Sequence, residues 1–164
     1  MGMQLGPDAP TTSAEAFAYI QRLKDGATVD DLKVLALTEA LGLELYEAMA
    51  RKTDHPEAQA LLRRADREEL GHAHRISKAI EILTGEAFPI PEIDAHPFYT
   101  PLDTPITKES LLGIAKGEFA GEDLYKGVAS RFTDPDVLKL LALNGQEERQ
   151  HGERLHQVVE LLYP

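Results

Sequence analysis

Residues 39–46 read EALGLELY and residues 69–72 read ELGH; residues 118–125 then read EFAGEDLY and residues 148–151 read ERQH. Glu39, Tyr46, Glu69 and His72 thus recur, at one constant offset, as Glu118, Tyr125, Glu148 and His151. Four carboxylates and two imidazoles in that arrangement are the ligand set of a dinuclear metal site inside a four-helix bundle, with a Glu from each of two helices and a Glu-x-x-His from each of the other two.

Working outward from these stretches, the two halves 28–83 and 107–162 align without a gap. Matches run from Thr28/Thr107 through Gly42/Gly121 and the turn prolines Pro56/Pro135 to Glu81/Glu160, and include Glu68/Glu147 and Arg75/Arg154. The chain is an internal duplication of a helical hairpin, which implies a pseudo-two-fold axis. One hairpin cannot bury its own apolar face, and two facing each other can.

Thr28-Val-Asp-Asp opens a helix with acids in its first turn, where the macrodipole favours them. Its expected apolar stripe is Leu32, Leu35, Ala36, Leu43, Tyr46, Met49 and Ala50, with an end near Thr53. Pro56 suits the first turn of a second helix that runs to Gly85. Thr107 or Ser110 caps the third long helix, and Pro135 starts the fourth. Before these, residues 1–12 read as a loose tail, and Ser13 caps a short helix to about Asp25, ended by Gly26. Between the halves, Pro89, Pro91, Pro97, Pro101 and Pro105 mark residues 85–106 as an irregular connection. A helix of about 25 residues is roughly 37 Å long, and an extended linker of about 21 residues spans that distance. The second hairpin can therefore start at the far end of the bundle. The expectation is one domain over 1–164, all-α, a four-helix bundle with one long crossover.

An isolated Glu on an amphipathic helix is usually solvated. Here Glu69 and His72 lie one turn apart on the face that carries Leu62, Ala65 and Ile76, and Glu148 and His151 share a face with Leu141 and Leu155. Four uncompensated carboxylates inside a bundle are prohibitive, whereas two divalent ions neutralise them. Carboxylate-rich ligation with two imidazoles suits iron, or manganese, better than a closed zinc site. Tyr46 and Tyr125 follow the first Glu of each half by seven positions, and helical side chains lean back toward the N-terminus, so each phenol reaches either the metal layer or the core. Gly42 and Gly121 sit on the ligand face, which suggests room for a bridging ligand or a close helix contact. Asn144 replaces Ala65 of the first half, four residues before Glu148, and either orients a ligand or makes an ordinary interhelical hydrogen bond. Glu68 and Glu147 point about 100° away from their ligand neighbours and read as surface or helix-packing charges. His55, His74, His96 and His156 receive no role.

Both halves resemble the ferritin-like di-iron superfamily, and the Glu…Tyr…Glu-x-x-His repeat is most similar to its rubrerythrin branch. The resemblance implies that Glu69 and Glu148 bridge two iron ions, that Glu39 and Glu118 cap one each, and that His72 and His151 each bind one. It implies oxygen or hydrogen peroxide as the oxidant and an external electron donor. This chain departs from that branch in having no cysteine, and hence no rubredoxin module. The position that often carries an extra Glu in the third long helix is Gly121, with Glu122 beside it on what reads as a solvated face. No fifth helix follows the fourth, so a cage is not expected.

The remaining numbers bound the alternatives. The absence of cysteine excludes disulfides and iron–sulfur clusters, and a net charge of −11 argues against nucleic acid. No apolar run approaches the ~20 residues of a membrane span. Met1 to Pro10 has neither a basic start nor an apolar core, so no signal peptide is expected and the cytoplasm is the default. A homodimer is the expected assembly. The first functional reading is a di-iron protein that reduces peroxide or acts as a ferroxidase. Its rivals are a non-catalytic iron-binding or storage protein, a di-manganese catalase needing no donor, and a metal-free helical interaction module.

Overall fold

The computed structural model describes residues 3–164; Met1 and Gly2, part of the expected loose tail, lie outside them. Five α-helices, α1 (Ser13–Ile20), α2 (Val29–Ala50), α3 (Pro56–Thr84), α4 (Lys108–Ala129) and α5 (Pro135–Leu162), carry the fold, and no strand occurs among the described residues. The helix boundaries follow from local chemistry. Thr28 and Thr107 each close a capping box, with Asp31 and Ser110 as the reciprocating residues. His55 and Asp134 cap α3 and α5, whose first residues are Pro56 and Pro135. Gly85 ends α3 in the left-handed conformation, φ 75°.

Helices α2 and α3 form one hairpin and α4 and α5 the other; α3 packs along α5, whereas α2 and α4 scarcely meet. Residues 85–107 run between the hairpins as an irregular crossover, interrupted only by a 3-10 turn at Ile93–Ala95. This is the ferritin-like bundle that the duplicated sequence predicts.

Several local expectations change. The N-terminal helix is capped by Thr12 rather than Ser13, and its α-helical part stops at Ile20, with a 3-10 turn over Gln21–Asp25. Ser13 is buried instead, because its hydroxyl donates to the Thr100 carbonyl (2.9 Å) and accepts from the Thr100 amide (2.9 Å), pinning α1 to the crossover. Leu5 and Ala9 pack on the core, so that stretch of the tail is anchored. Helix α2 ends at Ala50, three residues early, and is buried on all sides from Val34 to Gly42 rather than along one stripe. The outer cover is the crossover and α1: His96 Nε2 donates to the Leu37 carbonyl at 2.8 Å, and Phe88 and Phe98 join the same cluster. Leu43, expected in the stripe, is only half-buried.

The 3-10 turn after α1 lies against α4. That approach needs Gly127, where a Cβ would fall 1.9 Å from the Lys24 carbonyl oxygen. The hydrophobic core divides into two clusters. One gathers Leu32 to Leu41, Ile76, Ile80, Tyr125 and Leu141; the other gathers Tyr46, Met49, Leu62, Ala65, Leu111 and Leu155. A polar layer separates them.

Candidate metal centre

That layer is built by one turn from the middle of each long helix. Glu39 comes from α2, Glu69 and His72 from α3, Glu118 from α4, and Glu148 and His151 from α5. The two imidazoles are fully buried and Glu39, Glu69 and Glu148 are buried, while Glu118 is half-buried. Among the described residues, Glu69, His72, Glu148 and His151 form a group whose donor atoms lie within 4.8 Å of one another.

The oxygens are shared out between the rings. Nδ1 of His72 lies 3.0 Å from Glu148 Oε1, 3.5 Å from Glu39 Oε2 and 3.8 Å from Glu69 Oε2. Nδ1 of His151 lies 2.9 Å from Glu69 Oε1, 3.9 Å from Glu118 Oε2 and 4.0 Å from Glu148 Oε2. Glu69 and Glu148 therefore present one oxygen to each half of the layer, and Glu39 and Glu118 serve one half each. The rings stack at 5.1 Å between centroids and 19° between planes.

The opposite edge of each ring is fixed from outside. His72 Nε2 donates to Glu147 Oε2 at 2.9 Å, and both Glu147 oxygens accept from the Arg75 guanidinium. The second half repeats this with His151 Nε2 on Glu68 (2.9 Å) and Arg154 gripping Glu68. Glu68 and Glu147 are thus not the surface or plain packing charges expected from sequence. Their angular offset aims them across the tight α3–α5 contact, at the other hairpin's histidine. The Arg75/Arg154 repeat was the available signal, since a charge pair duplicated with its partner implies a shared contact. Glu147 is pulled down to about 2, chiefly by the His72 hydrogen bond and then by Arg75 against its burial, so it stays an acceptor. Nε2 then carries a proton in every state, so Nδ1 is the atom that faces the carboxylates and becomes a lone pair when a cation displaces its proton.

The tyrosines cross between halves. Tyr46 donates to Glu118 Oε1 and Tyr125 to Glu39 Oε1, each at 2.5 Å. Burial first, and these carboxylates second, push both phenols well up, so they remain neutral donors. Asn144 is fully buried; its amide donates to Tyr125 Oη (3.2 Å) and to the His72 carbonyl (3.2 Å), and its oxygen accepts from Arg75 (2.9 Å). These are interhelical hydrogen bonds, and the Tyr46 half, with Ala65, has no counterpart. Glycine at 42 and 121 is demanded by the carboxylates: a Cβ would meet Glu69 at 2.9 Å and Glu148 at 2.8 Å. Glu122 instead faces Lys126 (3.2 Å) and takes no part in the layer. His74 and His156 are exposed; His55 and His96 act only as a helix cap and a crossover anchor.

The layer fits a pair of cations by its own chemistry. Nδ1 of His72 and Nδ1 of His151 are buried without any hydrogen-bond partner, which native interiors rarely leave. Burial, then the charge of Glu148, drives Glu69 and Glu118 well above the ordinary carboxylate range, so without cations the layer holds protons instead. Burial works to lower His72, but Glu147, Glu148 and Glu39 hold it raised; burial and the neighbouring His72 charge keep His151 lowered. Two rings 5.1 Å apart do not both take a charge readily. Glu39, Glu69, Glu118 and Glu148 all line one cavity of about 320 Å³ between α2 and α4, whereas the histidines lie behind them.

No helix among the described residues is long and apolar enough to cross a membrane. Searches of curated proteins and of solved structures gave no match. The family model for rubrerythrin matches residues 34–159, which contain all six donors and both tyrosines, and no rubredoxin model matches the sequence. On that match, which covers most of the sequence, the chain belongs to the rubrerythrin family of ferritin-like di-iron proteins.

Proposed function

We propose that this protein is a di-iron oxidoreductase that reduces peroxide with electrons from a separate donor. The supporting observation is the pair of unpartnered, buried Nδ1 atoms, each facing oxygens of three carboxylates, two of which are common to both. In this reading two iron ions are the cofactor: Glu69 and Glu148 would be shared between them, and Glu39 with His72 and Glu118 with His151 would hold one each. Iron held there would supply the two electrons that peroxide reduction requires.

The chain's own residues supply the rest. Arg75 with Glu147, and Arg154 with Glu68, hold each imidazole in the tautomer whose Nδ1 is a free lone pair. Tyr125 and Tyr46 keep one oxygen of Glu39 and Glu118 occupied by a hydrogen bond, leaving the other for the centre. Their protons stay at Oη, donated to those carboxylates, because both phenols are held well above their ordinary range. The histidines close the back of the layer, so the oxidant's approach is the cavity between α2 and α4.

Stopped-flow oxidation of the ferrous-loaded protein tests this. One equivalent of hydrogen peroxide should oxidise one iron pair per chain, and continued peroxide loss should require an added reductant such as a reduced rubredoxin. Oxygen release from peroxide with no donor present would contradict the proposal and favour a manganese catalase.

A further inference from the structure

The cavity above the carboxylates is too large and too apolar for the oxidant assigned to it so far. Its volume is about 320 Å³. Hydrogen peroxide needs little more than the ~30 Å³ share of a water molecule, and a dry cavity of about 150 Å³ already accepts benzene. On that scale the space takes an organic molecule of roughly a dozen non-hydrogen atoms.

Its walls are distributed unevenly. The floor is the ring of four glutamates with the Tyr46 and Tyr125 phenols. The sides are Phe17, Ile20, Leu45, Leu102, Ile114 and Leu124, drawn from α1, α2, the crossover and α4. Thr38, also in the wall, spends its hydroxyl on the Val34 carbonyl at 2.8 Å. Away from the floor the other polar lining residues are Gln21 and Thr104, and the aliphatic sides between reward an apolar body. An anionic ligand is disfavoured because no basic side chain among the described residues lines the cavity and the chain's net charge is −11. The occupant that satisfies both ends is neutral, with a small oxygen-bearing head and a hydrocarbon body.

We infer that the cavity is a binding site for organic hydroperoxides and sets a preference for them over hydrogen peroxide. The inference rests on the peroxide-reducing reading above. The reaction balances as one hydroperoxide taking up two electrons and two protons: the O–O bond breaks, one oxygen leaves as the alcohol and the other as water. The electrons are those of the reduced iron pair, restored by the external one-electron donor.

Gly117 offers a selective probe. It lines the cavity, yet a Cβ added there meets nothing within 4 Å. Gly117→Leu should therefore fold, with a gain in helix propensity, while its side chain occupies the cavity. Ile114→Trp narrows the same space from another turn of α4. The first arm is independent of redox chemistry: 2-phenyl-2-propanol, the alcohol product of cumene hydroperoxide, is titrated into the metal-free protein and followed by methyl NMR. Saturable shifts confined to Ile20, Leu45, Leu102, Ile114 and Leu124 are expected, with affinity falling by at least about tenfold in either variant. The second arm compares the rates at which cumene hydroperoxide and hydrogen peroxide oxidise the ferrous-loaded protein. The rate ratio should favour cumene hydroperoxide and fall by at least about tenfold in both variants. Reaction with hydrogen peroxide alone, with no alcohol binding, overturns this inference and leaves the peroxide-reducing reading standing. Alcohol binding without oxidation by either peroxide overturns both as a reaction, and reduces the cavity to a ligand site. Alcohol binding and rate ratios identical in the wild-type and variant proteins overturn the assignment to this cavity.

Discussion

Replacing Gly42 by alanine separates folding from metal binding. The new Cβ would stand 2.9 Å from Glu69 Cγ and Oε2 and 3.0 Å from Cδ, so the carboxylate must withdraw by about half an ångström or more to reach ordinary contact. The cost to folding is bounded: alanine in a helix gains about 1 kcal/mol against roughly 1–3 kcal/mol of overpacking, a net of about 0–2 kcal/mol that metal-free and loaded protein share. Metal binding has little slack, since metal–ligand distances hold to within about ±0.2 Å. Because Glu69 faces both halves of the layer, both ions should weaken. A tenfold loss at each is about 2.8 kcal/mol in all, and shrinks the metal-induced rise in Tm by roughly 6–11 °C for a chain of this size. Calorimetric melts of metal-free and iron- or manganese-loaded protein read this directly. Metal should raise Tm less in G42A than in the wild type by that amount, whatever offset separates the two metal-free melts. Two ions bound at wild-type affinity in G42A would refute the placement of Glu69 between them.

Two further outcomes follow from the same geometry. Glu148→Ala should lower occupancy of both metal positions together, seen as metal per chain after equilibrium dialysis; loss of one ion alone would show that Glu148 serves a single half. In the metal-free protein, Glu69 and Glu118 are raised by burial and by their neighbours, and His72 is raised too. Raised groups bind more protons folded than unfolded, so their stabilisation is present at low pH and is lost as pH climbs from about 5 toward 8; His151 opposes this only in part. Metal-free protein should melt higher at pH 5 than at pH 8, whereas loaded protein should do the reverse as protons compete for the donors. Slopes of the same sign in both forms would contradict the buried carboxylate layer.

Much of this molecule was legible in its sequence because the same information is written twice. The repeat fixed the register of Glu39, Glu69 and His72 against Glu118, Glu148 and His151, and the turn prolines with Thr28 and Thr107 marked the helix starts. What stayed hidden depends on contacts between distant segments. The run Val34–Leu37 with Ala40 and Leu41 is apolar around the whole helix and hints at enclosure; what encloses it, His96 reaching Leu37 and Ser13 tying α1 to Thr100, is not written locally. Glu68 and Glu147 were misjudged for a related reason. Angular position on one helix says where a side chain leaves it, and only the closeness of α3 to α5 turns that direction into a hydrogen bond with a histidine. The cavity was equally invisible, since it exists because α2 and α4 stand apart while Gly127 lets the turn after α1 lie against α4.

The central claim is that four carboxylates and two imidazoles hold a pair of ions. Elemental analysis of the protein as purified, with metal counted per chain and repeated after anaerobic reconstitution with ferrous iron, tests it most directly. The account predicts two ions per chain, predominantly iron, retained through gel filtration. One ion or none after reconstitution, from protein whose helical content is intact, would contradict it.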